Sequence, residues 1–284
     1  MEKEDDLVLR AKDISIVFGG LKAVTDFSLD LHEGELVGLI GPNGAGKTTI
    51  FNMLSGIYKP TDGVVTFCGR DDKIRVINKK SPAELNKLGI ARTFQNIRLF
   101  GSLTVGDNVK IALHQSRNVS SFDVLFRTFK FRKDENLMTE KTEHLLEIFH
   151  ILDKKNELAR NLPYGEQRKL EIVRALASNP KLLLLDEPAA GMNEQETVEL
   201  MELIRFIRKE FNLTILLIEH DMHLVMGICE RLMVLDYGRV IASGLPNEIQ
   251  SNPAVIKAYL GSDYEKMVSD STEGSSGAKE GGAE

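Results

Sequence analysis

The chain has 284 residues, 42% hydrophobic and 27% charged, enough apolar material for a substantial core in one large domain or two small ones. Its net charge of −6 argues against a broad nucleic-acid surface, which would cluster Lys and Arg against phosphates. No apolar run is long enough to span a bilayer, and the acidic start "MEKEDD" is unlike a signal peptide. Cys68 and Cys229 match no metal-ligand spacing and read as reduced thiols of a cytoplasmic protein.

In chain order, "LVLRA", "DISIVF" and "FSLDL" alternate and read as half-buried strands of an antiparallel unit, with "GVVTFCG" as one more. Between them "ELVGLIG" is nearly all apolar, the pattern of a strand buried on both faces of a parallel sheet. It runs through a glycine-rich loop into a helix with Ile50, Met53 and Leu54 on one face, ended by Gly56 and Pro60. Ser81 to Ser178 reads as predominantly helical, with Pro82 opening a helix. Then "KLLLLDE", "LTILLIEH" and "RLMVLD" are three buried strands separated by amphipathic helices, the rhythm of a parallel sheet. "DYGRVIASG" supplies a closing hairpin, and "NPAVIKAYL" a last helix with Pro253 in its first turn. The tail 262–284, rich in Gly, Ser and Glu, reads as disordered. The expectation is one α/β core, 1–261, with a helical subdomain inserted at about 96–178.

"GPNGAGKT" from Gly41 to Thr48 matches the spacing of a phosphate-binding loop and lies between a buried strand and a helix, the context that motif needs. Backbone amides of Gly41, Pro42, Asn43, Gly44, Ala45 and Gly46 (proline excepted, having none) would cradle phosphates at the helix N-terminus, with Thr49 beside them. Lys47 would reach the outer phosphates and the Thr48 hydroxyl would ligate Mg²⁺. The bland alternative is a tight strand-to-helix turn. The loop says nucleoside triphosphate without saying which; "NKKS" at Asn78 to Ser81 lacks the aspartate of a guanine-reading element.

Asp186 and Glu187 end a buried strand, where open α/β sheets bind ligands. Two adjacent carboxylates divide the work: Asp186 holds Mg²⁺ through water, and Glu187 polarises the attacking water. His220 also ends a buried strand, from which an imidazole would contact the γ-phosphate. The other histidines read as structural, and Gln95 in "ARTFQN" is by itself an ordinary loop amide.

Together these residues resemble the ATP-binding cassette (ABC) family, whose motifs occur here in order. They are the Walker A loop "GPNGAGKT", a Q-loop at Gln95, a signature at "LPYGE", a Walker B strand "LLLLDE", a D-loop "AAGMN" and a switch histidine, His220. The resemblance implies a P-loop NTPase fold with a RecA-like parallel core, an N-terminal antiparallel β-subdomain and an inserted helical subdomain. It implies ATP and Mg²⁺ as ligands, with Gln95 on the metal beside Thr48 and Asp186. Phe18 takes the place of the ring that stacks on adenine; a core phenylalanine is the alternative. Leu162, Pro163, Tyr164, Gly165 and Glu166 would touch the ATP of a second subunit, in a homodimer or heterodimer. "YGEQRKLEI", "DEPAAGMN", "LLIEHDMHLVMGICERLMVLDYG" and "NPAVIKAYLG" resemble more narrowly the ATP-binding subunits of branched-chain amino acid importers. Such subunits sit at the cytoplasmic side of the cell membrane, against two integral-membrane permeases, and serve a periplasmic or extracellular binding protein; no nucleic acid is involved.

The signature departs from the family pattern at Pro163, Tyr164 and Glu166, and the D-loop carries Asn193 for aspartate. Importers of urea or short amides, lipid or lipopolysaccharide exporters and nucleic-acid-acting cassettes remain as alternatives. The "EHDM" and "AAGMN" wording disfavours the exporters, and the missing coiled coil disfavours chromosome proteins. "QNIRLFGSL" from Gln95 to Leu103 is the expected lip of a permease groove. Phe122, Phe126 and Phe129, with Arg127, Lys130, Arg132 and Lys133, would either lie on a membrane surface or pack inward.

Overall fold

The computed structural model describes residues 6–114 and 129–260. The tail 262–284 lies outside them, as do Phe122, Phe126, Arg127 and the side chains of Phe129, Lys130, Arg132 and Lys133. Two sheets organise the described chain. The first is antiparallel, in the order β2-β1-β4-β5, from β1 (Leu7–Phe18), β2 (Leu21–His32), β4 (Asp62–Cys68) and β5 (Ile74–Val76). The two runs "LVLRA" and "DISIVF" form a single strand, β1. Its register slips between Ala11 and Ile14, where Asp13 takes φ 49°. Such a bulge keeps the strand paired while breaking the alternation that sequence reading depends on.

The second sheet has the order β10-β9-β3-β8-β7-β6. Its strands are β3 (Leu36–Ile40), β6 (Ile90–Arg92), β7 (Leu182–Asp186), β8 (Thr214–Ile218), β9 (Arg231–Asp236) and β10 (Arg239–Gly244). Pairs from β9 through β6 are parallel, and β10 returns antiparallel at one edge. Every residue of β3, β7 and β8 is buried. Successive side chains serve opposite faces. Leu183, Leu185, Ile215 and Leu217 pack into one core with the helices, whereas Leu182, Leu184, Leu216 and Ile218 pack into another with the antiparallel sheet and helix α1 (Lys47–Leu54). Two buried faces make the runs apolar throughout, and each buried leucine contributes about 1.5–3 kcal/mol.

The segment Ser81 to Ser178 departs from its helical reading at β6, which adds a parallel strand beside β7. Three residues are too few to show a period. Its helices are α2 (Pro82–Leu88), α3 (Val105–His114), α4 (Phe129–Ile148) and α5 (Tyr164–Ala177). Helix α2 starts where Pro82 implied, because Ser81 and Glu84 form a reciprocal capping box in front of it. Helices α6 (Glu194–Glu210) and α7 (Met222–Ile228) follow β7 and β8; α8 (Pro246–Gln250), too short to announce itself, precedes α9 (Pro253–Leu260).

Candidate nucleotide site

The loop between β3 and α1 is shaped by its glycines. At Gly41 (φ 148°) a Cβ would lie 2.1 Å from the Leu235 carbonyl oxygen, so only glycine fits there. Gly44 (φ 81°) differs: nothing lies within 4 Å of its added Cβ, which leaves space above the loop. Helix α1 has Gly46 at its N-cap, no side chain capping it and no acid in its first turn. Its first intrahelical bond is Ile50 N–H to Gly46 O, at 3.0 Å, which leaves the amides of Gly46, Lys47, Thr48 and Thr49 for another acceptor, whereas the Ala45 N–H donates to Pro42 O at 3.2 Å. That donor set, at the positive end of a helix, fits a polyphosphate. Lys47 Nζ curls over the loop, donating to the carbonyls of Gly41 (2.6 Å) and Pro42 (2.9 Å). Burial pushes its pKa down while Glu187 and Asp186 pull it up, so the ammonium lies in the field of both carboxylates. Thr48 and Asn43 are exposed, Pro42 and Thr49 half-buried, and Ala45 buried.

Asp186 is nearly enclosed. Its Oδ2 accepts from Arg92 at 2.8 Å, and the same guanidinium holds Asn52 Oδ1 (2.7 Å) and Ser55 Oγ (2.8 Å). Arg92 also lies over the rings of Phe51 and Phe94, at 5.5 and 5.0 Å. Next to it Glu187 takes φ 47°, a left-handed conformation that costs a non-glycine residue energy and is held by its N–H bonding Ile218 O at 2.9 Å. Gln95, 92 residues away, meets this carboxylate: its Nε2 donates to Glu187 Oε2 at 2.8 Å. His220 is exposed, with Nδ1 3.8 Å from Glu219. Glu219 itself is buried, accepting from Ala189 N–H (2.8 Å) and His220 N–H (3.1 Å), so it ties the switch strand to the D-loop. Phe18 is 42% exposed at the β1–β2 hairpin, edge-on to Tyr58 at 5.2 Å. That position overturns the core alternative for it.

The signature turn sits at the start of α5. Pro163 is its N-cap (φ −52°, ψ 154°) and supplies no side-chain cap; its carbonyl accepts from Gln167 N–H at 3.0 Å. Leu162 is buried in the core; its carbonyl accepts from Gln167 Nε2 at 2.8 Å and its N–H donates to Ala159 O at 3.4 Å. The Glu166 carboxylate is held by Lys154. Tyr164 is exposed and lies over Gly191 of the D-loop, where a Cβ would come within 3.1 Å of its ring. Gly165 leaves room for Glu196, whose Oε1 would be 3.0 Å from a Cβ there. Asn193 N-caps α6 in a capping box with Glu196, both bonds 2.9 Å. Asparagine and aspartate cap about equally well, which explains that departure.

Beside the site, a cavity of about 730 Å³ runs between α2, α3, α5 and the 94–100 loop. Leu99, Phe100 and Ile111 give it apolar walls, and Arg92 and Arg174 also line it.

Residues 24–190 match the family described as ABC transporter, and 239–265 match "Branched-chain amino acid ATP-binding cassette transporter". The chain belongs to the ABC transporter family. The Salmonella typhimurium "High-affinity branched-chain amino acid transport ATP-binding protein LivG" is 46% identical, over 89% of this chain and 98% of its own. The Escherichia coli "Lipopolysaccharide export system ATP-binding protein LptB" is 34% identical, over 90% and 98%. Among solved structures, the ADP conformation of MJ1267, an ATP-binding cassette of an ABC transporter, aligns with TM-score 0.76 and 32% identity, covering 90% of this chain and 99% of that one.

Within this ABC cassette, sequence reading passed over Arg92, Tyr58, Glu219 and the Arg168–Glu171 pair described below. Only Arg92 left a trace, as a cation inside the otherwise apolar "GIAR" run.

Proposed function

We propose that this chain is the ATP-hydrolysing subunit of an importer for branched-chain amino acids. The observation that carries the catalytic half is the convergence of Lys47, Asp186, Glu187 and Gln95 at the C-terminal edge of the parallel sheet. The 12-point gap in identity between LivG and LptB, together with the match at 239–265, carries the substrate half.

In this reading the amides at the start of α1 and Lys47 bind the phosphates, and Phe18 with Tyr58 offers adenine an aromatic surface. Glu187, already aligned by Gln95, accepts the proton of the attacking water, and His220 contacts the γ-phosphate from the neighbouring strand. The Thr48 hydroxyl, Gln95 Oε1 and a water on Asp186 are oxygen donors that suit Mg²⁺, which would neutralise phosphate charge when bound. Both side chains keep an oxygen for that task, since Gln95 uses Nε2 on Glu187 and Asp186 uses Oδ2 on Arg92.

Residues 1–261 act as one nucleotide-binding domain, with the helical subdomain at about 96–178 and 262–284 as an appended tail. A second cassette, identical or related, presents its signature to this chain's ATP, and Pro163 to Glu166 do the same in return. Two permease subunits dock at the groove lined by Leu99 and Phe100, and the substrate-binding protein acts through them. Among the described residues no helix is long and apolar enough to cross a membrane. In this reading the permeases hold the subunit at the cytoplasmic face.

Glu187→Gln tests the catalytic assignment. It should lower turnover by about 10²- to 10⁴-fold while ATP still binds, read by phosphate release and by a fluorescent nucleotide. Hydrolysis at the native rate would refute the role of Glu187.

A further inference from the structure

Arg168 and Glu171 lie one turn apart on α5, 2.9 Å from each other, with side chains 0% and 2% exposed. Desolvating two charges is costly, and the pair is stable only if its remaining donors and acceptors are satisfied. Arg168 Nε is left without a partner, but most of the other donors and acceptors converge on one target, the backbone of the loop that carries Gln95. Arg168 donates to the carbonyls of Phe94 (2.6 Å) and Gln95 (2.7 Å). Glu171 Oε1 accepts from the amides of Phe94 (3.3 Å) and Arg98 (3.4 Å). The loop has no helix or strand of its own to fix it.

The same helix reaches the neighbouring sites. Arg168 lies 3.3 Å from the Tyr164 hydroxyl, in the signature turn. Arg174 stands over the Phe100 ring at 5.7 Å, on the groove wall. From Tyr164 to Arg174 is about 15 Å along a helix axis, a span too short to flex. A hydrophobic pair of similar volume would pack α5 equally well. It would not grip two carbonyls and two amides.

We propose that Arg168 and Glu171 are a positioning clamp that makes the 94–98 loop ride on the signature helix. Gln95's hold on Glu187, the signature turn and the groove wall then move as one body. The inference rests on the reading of Gln95 and Glu187 as the reaction centre.

The test replaces both charges, Arg168→Met with Glu171→Leu, since apolar replacement of a buried pair often keeps or raises stability. Amide exchange at Phe94 and Arg98 should accelerate by about tenfold or more relative to β7, as bonds to charged groups are lost. ATPase kcat should fall by about tenfold with KM for ATP little changed, because the phosphate loop is untouched. Arg168→Lys keeps the charge without the planar fork and should show the same two effects at smaller size. Should the double variant not fold, Arg168→Lys decides alone. Native exchange at 94–98 with native kcat would overturn the clamp, as would kcat falling only with the folded fraction. A wild-type chain without ATPase activity would instead strike the functional reading, leaving exchange to judge the clamp.

Discussion

Glu187 combines a left-handed backbone with a bond to Gln95, and both fix its carboxylate before any substrate arrives. Strain of this kind persists only where surrounding contacts enforce it. At the end of the next strand, β8, Glu219 is buried with three backbone amides around it, yet burial still raises its carboxyl above the usual carboxylate range. The folded protein therefore holds that proton more tightly than the unfolded chain does. Its contribution to stability is full below the unfolded pKa, about 4.3, and is lost as pH rises toward the raised folded value. Glu219→Gln removes this titration, so denaturant midpoints measured from about pH 4 upward should decline less steeply than in the wild type. An unchanged slope would mean that Glu219 does not titrate in that range. At this scale the sequence showed residue types and spacing but not partners. Gln95 and Glu187 stood out by motif, whereas Arg168 and Glu171 were passed over, since spacing alone does not show that they are buried against the Gln95 loop.

Two helix starts, at the D-loop and at the signature turn, are built differently. Helix α6 is fully capped by Asn193 and Glu196. Asn193→Ala should cost about 1 kcal/mol, a fall of about 2–3 °C in thermal midpoint. A midpoint unchanged within error would show that Glu196 alone suffices. Helix α5 has no such cap, because proline stands where serine would offer a hydroxyl. Its first amides and dipole remain for a phosphate, so the expectation is a signature that is weakened but working. Pro163→Ser, in Glu187→Gln subunits to block hydrolysis, should lower the ATP concentration for dimer closure by about 10- to 100-fold. Equal or looser closure would mean that the turn holds phosphate by another route. Elements with long apolar or alternating runs were legible from sequence: β3, β7, β8, β9 and the β9–β10 hairpin. β5, β6 and α8 were not, since three to five residues carry too little pattern to separate from loop. The bulge at Asp13 likewise divided β1 in the sequence but not in space.

Across the whole molecule, the two cores on either face of the parallel sheet leave one edge for ligands. The strand ends holding the phosphate loop, Asp186, Glu187 and His220 all open there. α5 runs from that edge to the groove, so the proposed nucleotide chemistry and the proposed docking share a structural element. Order and spacing of the six motifs made this architecture readable at the start. The groove itself was readable only as an apolar lip, because its far walls come from α2, α3 and α5, distant in sequence.

The measurement that tests the account most directly is uptake of radiolabelled leucine into proteoliposomes. They would hold this subunit, its partner cassette and the two permeases, with binding protein on the outside and ATP within. The account predicts leucine accumulation that requires internal ATP and disappears with Glu187→Gln, while an anionic lipid or a nucleic acid leaves ATPase activity unstimulated. Accumulation that persists in Glu187→Gln, or ATP hydrolysis that proceeds with no effect of leucine-loaded binding protein, would contradict it.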